Sequence, residues 1–531
     1  MNLEAWLQLN GKSATGLLAL YGSGILGLLV RLEHPSREII QTNKQKLTVY
    51  WTGLVIYNIY FHPLASYPGP LLARSTLIWR IIQSTRGRIH LAIDEGHKKY
   101  GPVFRVSPNE LSFASLKSWK DIYGHAVGKK QTLVKSEFYD MYGAGFRRLC
   151  IGSERDPQKH RKMKQSLTAA FSTKALREQE EIVANVVDAF VDKIGKLGGP
   201  KSDGLDMAKW YEMLAFDVLG EMAFGESFGC IEDAGKPHFW QELILDHLFF
   251  ITVADNLRRF PFVPTISRML FPFISAVSKT HTNYTRAKVD RRLASKSGRK
   301  DLMSNLLSKV ESGEIEKEEM TAHASTLVIA GGETVATFLA ATTYYLLKYQ
   351  NNGVWDKLCK EVRDRFKTYE EINAASAQQL PYLQAVISEG LRIYPPGSQG
   401  FPRISPGTDI DGHWVPQGTE VYTSAYTVTH DEKYFPDPYQ FDPNRWLDPD
   451  SKSVKEASQP FSLGARGCLG QNFAMMEVNQ ILAKMIFNYD WELVNADVDW
   501  LGESRCHVMW WKPHLYVRFR ERSDLAQAVA K

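Results

Sequence analysis

Residues 461–470, near the carboxyl end, place one cysteine in a loop punctuated by glycines, with the sequence F-S-L-G-A-R-G-C-L-G. A helical pattern follows directly, from residue 471 to about 489. A cysteine at that junction, Cys468, meets backbone N–H groups and the positive end of a helix dipole, which stabilise an anionic sulfur. The spacing therefore predicts a ligating thiolate at Cys468. The alternative is a small buried apolar residue, as a lone cysteine usually is.

The residues around the cysteine have compatible chemistry. Gly464 and Gly470 permit tight or left-handed backbone close to a bulky group. Arg466 places a fixed cation two residues before the sulfur, where it suits a carboxylate, and Phe461 can keep water from the sulfur. By average residue usage, chance produces F-x-x-G-x-R-x-C-x-G in such a chain on the order of once in ten thousand. The pattern therefore favours a ligand site over an incidental cysteine.

A second group of suitable residues lies in the longest helical pattern, from residue 317 to about 348, which contains A-G-G-E-T at 330–334. Two adjacent glycines inside a helix cost roughly 1 kcal/mol each relative to alanine, so they indicate close approach of another element or a local widening of the helix. Thr334 can bond its hydroxyl to a carbonyl in the preceding turn, and Glu333 offers a proton source. This combination suits reductive O₂ activation; a small-residue patch for helix packing is the alternative.

A charge pair is predicted on the helix that Pro381 opens at its first turn. Glu389 and Arg392 lie on one face of that helix at i, i+3, and Tyr394-Pro-Pro ends it. The pattern E-x-x-R is weak by itself, because chance gives about one in a chain of this composition. Buried charges persist only when they are paired and hydrogen-bonded, so a structural role is predicted for the pair.

In their order along the chain, these three motifs resemble those of the cytochrome P450 family, the haem-thiolate monooxygenases. The resemblance covers about residues 63–520. The sequence over this range is similar to those of the fungal microsomal branch, whose members modify secondary metabolites. It implies a mainly α fold with small β-sheets, and haem b whose iron is ligated axially by Cys468, a thiolate that favours O–O cleavage. It places Thr334 and Glu333 in oxygen activation. It places the remaining motif residues of the loop in cofactor binding: Phe461, Gly464, Arg466 (suited to a haem propionate) and Gly470.

Residues 156–173 form a basic helical pattern whose family counterpart carries an aromatic and a basic residue, four apart, against the haem propionates. His160 and Lys164 fall at that spacing. The usual arginine is a lysine here, which loses the bidentate fork. A charge run of this kind is otherwise a solvated helix face.

The family's Glu-Arg pair bonds an arginine from a later loop. The matching residue is Arg445, within F-D-P-N-R-W at 441–446. The resemblance thus implies a buried triad of Glu389, Arg392 and Arg445 that fixes the loop carrying the thiolate.

Two apolar stretches open the chain, at residues 14–30 and 47–61. Each is at or below the length of about 17–25 residues that crosses a hydrocarbon core, and no small-residue cleavage site follows the first. They predict an N-terminal membrane anchor in residues 1–62, as one span or a hairpin of two, before a haem-thiolate catalytic domain in 63–531. A buried element is the alternative for the second stretch. By resemblance, the anchor lies in the endoplasmic reticulum membrane with the catalytic domain on the cytosolic side.

Composition limits the partners. A hydrophobic content of 44% and a charged content of 23% are those of a globular protein. A net charge of +5 allows a basic patch for an acidic partner or a membrane and does not suggest nucleic acid. The five cysteines contain no C-x-x-C pair, which disfavours a disulfide framework or a zinc site. No G-x-G-x-x-G opens a βαβ unit, so electrons must come from another protein, by resemblance the NADPH-cytochrome P450 reductase, on a basic surface near Cys468.

Two segments, 396–402 and 504–509, resemble family segments that line the substrate pocket. They carry little charge, which favours a mostly apolar substrate, and they include Ser398, Phe401, His507 and Val508. The implied function is hydroxylation or epoxidation of an apolar small molecule (a terpenoid, polyketide or alkaloid) with O₂. The alternatives are a haem-thiolate isomerase or dehydratase, a membrane-anchored haem-binding sensor, and a helical scaffold without haem.

Overall fold

A computed structural model describes residues 37–522 except 127, 129–130, 144, 234–235, 237, 261–262 and 296–297. The first apolar stretch, at 14–30, lies outside the described residues. The second lies in the helix that begins at Arg37 and in the π-helical turn Tyr57–Phe61 that continues it.

Helices make up most of the described chain. The α-helices are α1 (Arg37–Ile56), α2 (Leu71–Ser75), α3 (Ile78–Thr85), α4 (Ile89–Tyr100), α5 (Leu116–Tyr123), α6 (Pro157–Thr168), α7 (Thr173–Leu197), α8 (Met207–Phe224), α9 (Phe239–Leu257), α10 (Val263–Ala294), α11 (Ser304–Glu311), α12 (Lys317–Lys348), α13 (Val354–Arg365), α14 (Ala374–Ala377), α15 (Pro381–Ile393), α16 (Ala425–Thr429), α17 (Asn444–Leu447), α18 (Gln471–Asn488) and α19 (Trp500–Glu503).

Short strands form small sheets beside the helices. The strands are β1 (Val103–Ser107), β2 (Glu110–Phe113), β3 (Val134–Lys135), β4 (Leu205–Asp206), β5 (Arg403–Ile404), β6 (Thr408–Ile410), β7 (His413–Val415), β8 (Glu420–Thr423), β9 (Tyr489–Leu493), β10 (Arg505–His507), β11 (Met509–Trp511) and β12 (Tyr516–Glu521).

The largest sheet has the order β1-β2-β8-β5-β3, in which β2 and β8 are parallel and the other neighbours antiparallel. A second sheet has the antiparallel order β4-β12-β9, and β6–β7 and β10–β11 are two-stranded. The prediction of a mainly α fold with small β-sheets is confirmed.

The helix α12 passes through the core. It is the one helix in the described part of the chain that is long and apolar enough to cross a membrane, and its most apolar window is 72% buried within the protein. The helix α8 packs along it so closely that a Cβ at Gly331 would lie 2.9 Å from Leu219 Cδ1. The adjacent glycines therefore serve close helix approach, while the helix stays α-helical throughout.

The second apolar stretch is exposed. Val49 is 72% exposed, Tyr60 71% and Phe61 72%, and within residues 45–61 only Asn58 is buried. The alternative that this stretch is a buried element is therefore wrong.

Candidate active site

A cavity of about 400 Å³ lies beside the cysteine loop 461–470 and α12. Its lining is mainly apolar, and both Cys468 and Thr334 belong to it. Further lining residues come from α6, α8, α9, α15, α18, the 3₁₀ turn Glu137–Gly143, the strands β3 and β5, residues 396–401 and the turn between β10 and β11. A larger surface groove of about 920 Å³, beside Lys98 and Tyr439, contains none of the predicted site residues.

The cysteine loop is closed by its own backbone. The N–H of Cys468 donates to the carbonyl oxygen of Phe461 at 2.8 Å, and the N–H of Gly467 donates to that of Gly464 at 3.0 Å. The side chain of Phe461 lines the cavity as well. The helix α18 begins at Gln471, as predicted.

The two motif glycines do different things. Gly464 has a φ of +69°, and a Cβ there would lie 2.3 Å from the carbonyl oxygen of Tyr123, so only glycine fits. Gly470 has an ordinary φ of −85° and lines the cavity, and a Cβ there would meet no atom within 4 Å. Of the tight or left-handed backbone that the two glycines permit, the left-handed conformation is present at Gly464, whereas Gly470 leaves open space beside the cavity.

Of the five cysteines, four are buried and Cys468 is exposed. The exposed surface of Cys468 faces the cavity, which protein surrounds. Burial raises the pKa of its thiol, while the N–H groups of Gly470 and Gln471 and the Lys164 ammonium act in the opposite direction. The helix start therefore supplies the predicted donors. A metal ion bound to the sulfur would remove the proton outright.

Two of the predicted cofactor-binding residues stand on one wall of the cavity. Arg466 donates to the carbonyl oxygens of Glu154 at 2.9 Å and Arg155 at 2.7 Å. His160 is buried, lines the cavity, and its ring makes no hydrogen bond within the described residues. Both side chains thus keep hydrogen-bonding capacity toward the cavity.

Lys164 joins the basic helix α6 to the cysteine loop. Its ammonium donates to the carbonyl oxygens of Ala465 at 2.9 Å and Gly467 at 3.3 Å, and it lines the cavity. This contact lies within the loop that carries Cys468, so Lys164 braces the loop as well as adding a positive charge.

Two further cations line the same cavity. They belong to no recognised motif, so the sequence did not predict them. Lys135 donates to the carbonyl oxygens of Ile151 at 2.8 Å and Gly152 at 2.6 Å. Arg403 donates to the Tyr139 hydroxyl at 2.9 Å. Each belongs to a two-residue strand, and a single basic residue in so short an element gives no sequence signal.

Burial and mutual repulsion lower the pKa values of cations in this wall. Burial, reinforced by the neighbouring guanidinium groups, lowers the pKa of Lys135 to about 7 and that of Arg466 to about 10. Burial and the same cations lower the pKa of His160 to about 3. Arg403 is buried too. In the described part of the chain, none of these side chains has a carboxylate partner. A buried cationic wall of this kind fits an anionic ligand.

The residues present fit a haem group. A thiol at one side of the cavity suits iron, the space beside Gly470 suits a flat ring, and the cationic wall suits two propionates. All three features line one cavity. This arrangement agrees with the haem site that the sequence resemblance implies.

On α12, Thr334 lines the cavity and donates its hydroxyl to the carbonyl oxygen of Ala330 at 2.7 Å. The predicted bond to the preceding turn is therefore present. Since a hydroxyl oxygen also accepts hydrogen bonds, Thr334 can still bind a ligand from the cavity side.

Glu333 does not line the cavity, although its neighbour does. It is 7% exposed, and its Oε2 lies 3.6 Å from Lys512 Nζ, which contacts Glu212 Oε1 at 2.7 Å. The longer distance allows attraction but no hydrogen bond. Burial raises the pKa of Glu333 to about 7, with Lys512 lowering it and Glu212 raising it. Glu333 can therefore hold or release a proton near neutral pH.

The structure brings the predicted triad together. Arg392 Nε donates to Glu389 Oε2 and its Nη2 to Oε1, both at 2.8 Å, and Arg445 Nε donates to Oε1 at 3.1 Å. The Trp446 indole and the Asp442 N–H, each at 2.9 Å, complete the shell.

All three charged members of the triad are buried, and both guanidinium groups also bond carbonyl oxygens of residues 429–440. Burial alone would raise the pKa of Glu389, but Arg392, Arg445 and the Asp442 N–H outweigh it and lower that pKa. Glu389 and Arg392 therefore form an ionised pair, and their buried, fully hydrogen-bonded arrangement agrees with a structural role.

The predicted substrate segments are only partly in the lining. Phe401 and Val508 line the cavity, whereas Ser398 and His507 do not. Ser398 is instead within 3.2 Å of Cys506 Sγ. His247 and Tyr142 also line the cavity, although no sequence motif predicted them as site residues.

A mainly helical fold with a cysteine and a cationic wall around one buried cavity is the arrangement of haem-thiolate proteins. The family model described as Cytochrome P450 matches residues 68–517. The chain belongs to this family and is a cytochrome P450 monooxygenase. The family implies a haem-thiolate cofactor.

Fungal relatives agree with this assignment. The chain is 65% identical over 470 residues to cytochrome P450 monooxygenase ORF9 of Penicillium roqueforti (strain FM164), covering 88% of this chain and 92% of the relative. It is 52% identical over 465 residues to cytochrome P450 monooxygenase BOT4 of Botryotinia fuckeliana, covering 88% of each. It is 39% identical over 486 residues to cytochrome P450 monooxygenase BOA3 of Botryotinia fuckeliana (strain B05.10), covering 89% and 94%. These names favour a monooxygenase over the isomerase, sensor and scaffold alternatives.

Proposed function

We propose that the chain is a membrane-bound monooxygenase that hydroxylates or epoxidises an apolar intermediate of fungal secondary metabolism, a terpenoid, polyketide or alkaloid. The observation that carries the proposal is that Cys468 and Thr334 line one mainly apolar cavity. When bound, haem b would supply the redox chemistry that uses O₂, two electrons and two protons to put one oxygen atom into the substrate and release water.

The chain's own residues would hold that cofactor. The Cys468 thiolate would ligate the iron, and the space at Gly470 would admit the ring. The side chains of the wall would hold the propionates: the neutral imidazole of His160 as an N–H donor, and the cations Lys164, Arg466, Lys135 and Arg403.

Thr334 and Glu333 would manage the protons. The Thr334 hydroxyl would bond an oxygen ligand in the cavity, and Glu333, whose pKa of about 7 allows either state, would supply protons from the protein interior. Efficient general acids have a pKa near the working pH.

An exposed basic stripe on α6 supports docking of the NADPH-cytochrome P450 reductase. Lys159, Arg161 and Lys162 are exposed, and Lys164 links the same helix to the cysteine loop. Charge reversal at Lys162 (Lys162→Glu) should slow reductase-driven haem reduction several-fold at low salt, since steering by charge raises association rates. Chemical reduction by dithionite should be unaffected. Stopped-flow reduction checks this.

The matched control is Lys279→Glu, an exposed lysine on α10. Equal slowing by both variants would contradict the assignment of the docking surface to α6.

The exposed apolar side chains of Val49, Tyr60 and Phe61 support the anchor, since contiguous apolar surface of this kind marks interaction sites. With the apolar stretch at residues 14–30, we place the anchor in the endoplasmic reticulum membrane and the catalytic domain on the cytosolic side.

The first experiment is the spectrum of the ferrous–CO adduct. The wild-type protein should show the red-shifted Soret band of thiolate-ligated haem, and Cys468→Ser should lose it. The control Cys359→Ala, which removes a buried cysteine of α13, should keep it. A thiolate band in the Cys468→Ser variant would refute the ligand assignment.

A second prediction concerns Thr334. Replacement by alanine removes the hydroxyl that would bind oxygen in the cavity, so NADPH consumption should continue while product per NADPH falls about tenfold or more, since one positioned proton-transfer group typically contributes about 10²–10⁴-fold to a rate. The control Thr337→Ala, a buried threonine on the same helix that does not line the cavity, should leave coupling unchanged. Peroxide and product assays measure both.

A further inference from the structure

His247 is a buried polar side chain that lines the cavity and has no hydrogen-bond partner among the described residues. It lies on α9 between apolar neighbours, is 8% exposed, and lines the cavity together with Leu248 and Ile251. Neither ring nitrogen makes a hydrogen bond within the described part of the chain. Buried polar groups are nearly always bonded, so an unbonded imidazole at a cavity wall indicates a ligand partner.

The neighbouring histidine shows what a structural imidazole looks like here. His281 on α10 stacks parallel to His247, with ring centroids 5.8 Å apart and planes 4° apart. Its Nδ1 accepts from the Trp240 indole N–H at 2.6 Å, and its Nε2 lies 2.7 Å from Ser325 Oγ. The fold thus satisfies one imidazole of the pair completely and leaves the other to the cavity.

Other polar groups of the same wall are already engaged. Thr326 donates to Cys150 Sγ at 2.8 Å, and the Gln399 amide nitrogen lies within 3.3 Å of the Cys506 carbonyl oxygen. Tyr142, in the turn Glu137–Gly143, is different: it lines the cavity, and its hydroxyl makes no hydrogen bond within the described residues. Among the described residues, His247 and Tyr142 thus both line the cavity without a hydrogen-bond partner.

Both groups are neutral at physiological pH. Burial lowers the pKa of His247 to about 4, and burial raises the pKa of the Tyr142 hydroxyl. A neutral imidazole offers one N–H donor and one nitrogen acceptor. Such a pair binds a hydroxyl or a carbonyl oxygen and gives no advantage to a carboxylate or an ammonium group.

We propose that His247, assisted by Tyr142, binds an oxygen atom of the substrate and so orients an otherwise apolar skeleton in the cavity. The inference rests on the proposed monooxygenase function and narrows its substrate class to apolar ring compounds that already carry a hydroxyl or a ketone. The chemistry that supplies the substrate must therefore have introduced one oxygen before this enzyme acts.

The test compares matched ligands that differ by one carbonyl group. Decalin and 1-decalone, and the corresponding saturated tricyclic and tetracyclic hydrocarbons and ketones, are titrated into the haem-loaded, full-length protein by the shift of the Soret band. The quantity of interest is the ratio of ketone affinity to hydrocarbon affinity. In His247→Phe, which keeps a ring but has no nitrogen, this ratio should fall about five- to tenfold for at least one pair, the usual effect of one hydrogen bond.

Two further variants separate the hydrogen bond from packing. His247→Gln retains a donor and should keep most of the wild-type ratio, and Ile251→Val should change both affinities of a pair equally. A wild-type protein that binds no ketone of the series, a ratio unchanged in His247→Phe, or a ratio lost only in Tyr142→Phe overturns the role of His247.

The ferrous–CO spectrum of each variant is recorded first. Absence of the thiolate band in the wild type refutes the proposed function itself, whereas an intact band with an unchanged affinity ratio refutes this inference alone.

Discussion

The floor and the roof of the cavity are held by two different buried charge networks. The floor is the cysteine loop 461–470 with the start of α18, and the roof is α9 with the turn Glu137–Gly143. The helix α15, which lines the cavity, carries one carboxylate, Glu389, that receives two guanidinium groups, and those groups also bond several backbone carbonyls. The floor network thus acts on the backbone of one region, residues 429–446.

The roof network joins side chains from remote parts of the chain. Asp255, near the end of α9, contacts Arg80 of α3 at 2.6 Å. Arg259 bridges the Glu110 carboxylate at 3.0 Å and the Glu420 carboxylate at 2.5 Å. Arg258 adds contacts to Asp255 at 2.7 Å and to Glu420 at 2.8 Å.

The sheet register explains why the roof needs three arginines. The parallel pairing of β2 and β8 sets Glu110 beside Glu420, and like charges in that position repel. The guanidinium groups offset this repulsion and fasten the end of α9 to the sheet. The Glu389 network thus orders the backbone of residues 429–446, while the arginine network of the roof sets the position of the helix that carries His247.

The largest expected effect is on the floor. Glu389→Ala leaves two buried guanidinium groups without their carboxylate, a change that typically costs about 3–5 kcal/mol. We expect little folded protein and almost no bound haem, measured by the haem-to-protein absorbance ratio after purification.

The matched control is Asp364→Ala, which removes an exposed i, i+4 partner of Lys360 and should change stability by about 0.5 kcal/mol or less. Normal haem content in Glu389→Ala would mean that the triad does not support the cysteine loop.

A smaller effect is expected from the roof. Asp255→Asn removes one of three carboxylates facing three arginines, which should lower the free energy of unfolding by about 2–3 kcal/mol, the range for hydrogen bonds to charged groups. Because the network is remote from Cys468, haem content should stay normal while apolar ligands dissociate faster. Stopped-flow ligand release and thermal unfolding measure the two effects.

The pH dependence of the roof has a definite sign. The arginines outweigh burial and hold the pKa of Asp255 and of Glu110 below the ordinary range. The stability contributed by such groups is present above their unfolded pKa, near 4, and is lost as pH falls below it.

The outcome that would contradict the assignment of Asp255 to the roof is a loss of haem from Asp255→Asn with the rate of ligand release unchanged.

The smallest effect concerns the wall between floor and roof, where α12 carries Glu333. Its pKa is raised from 4.5 to about 7, so the carboxyl is protonated below about pH 7 and loses its proton above. We expect product per NADPH to fall two- to threefold as the pH rises from 6 to 8, a modest change because proton transfer is one of several steps.

In Glu333→Gln this pH dependence should disappear. Because the unfolded carboxyl ionises before the folded one, the free energy of unfolding should also fall as pH rises between 4.5 and 7 in the wild type. A coupling profile that is identical in both proteins would exclude Glu333 as the proton donor.

Much of the floor could be predicted because its determinants are contiguous. The pattern around Cys468 combines a left-handed glycine, a backbone-closed loop and a helix start, all within ten residues. The Glu389 and Arg392 pair shares one helix face, and the adjacent glycines of α12 indicated the close helix that the structure shows. The bounds of α12, α15 and α18 follow from periodicity, Pro381 and the loop residues.

The rest depended on tertiary structure. Lys135 and Arg403 join the cationic wall, the roof arginines meet Glu110 and Glu420, and His247 reaches the cavity, all from short or unremarkable segments. Local patterns record which residues become helix or loop, since backbone geometry and capping act over a few positions. They do not record which distant side chains share a buried volume, because that depends on how the helices pack. The contiguous motifs therefore specify the cysteine site and the family, whereas the packing of the helices specifies which charges surround the cavity and which polar groups face it.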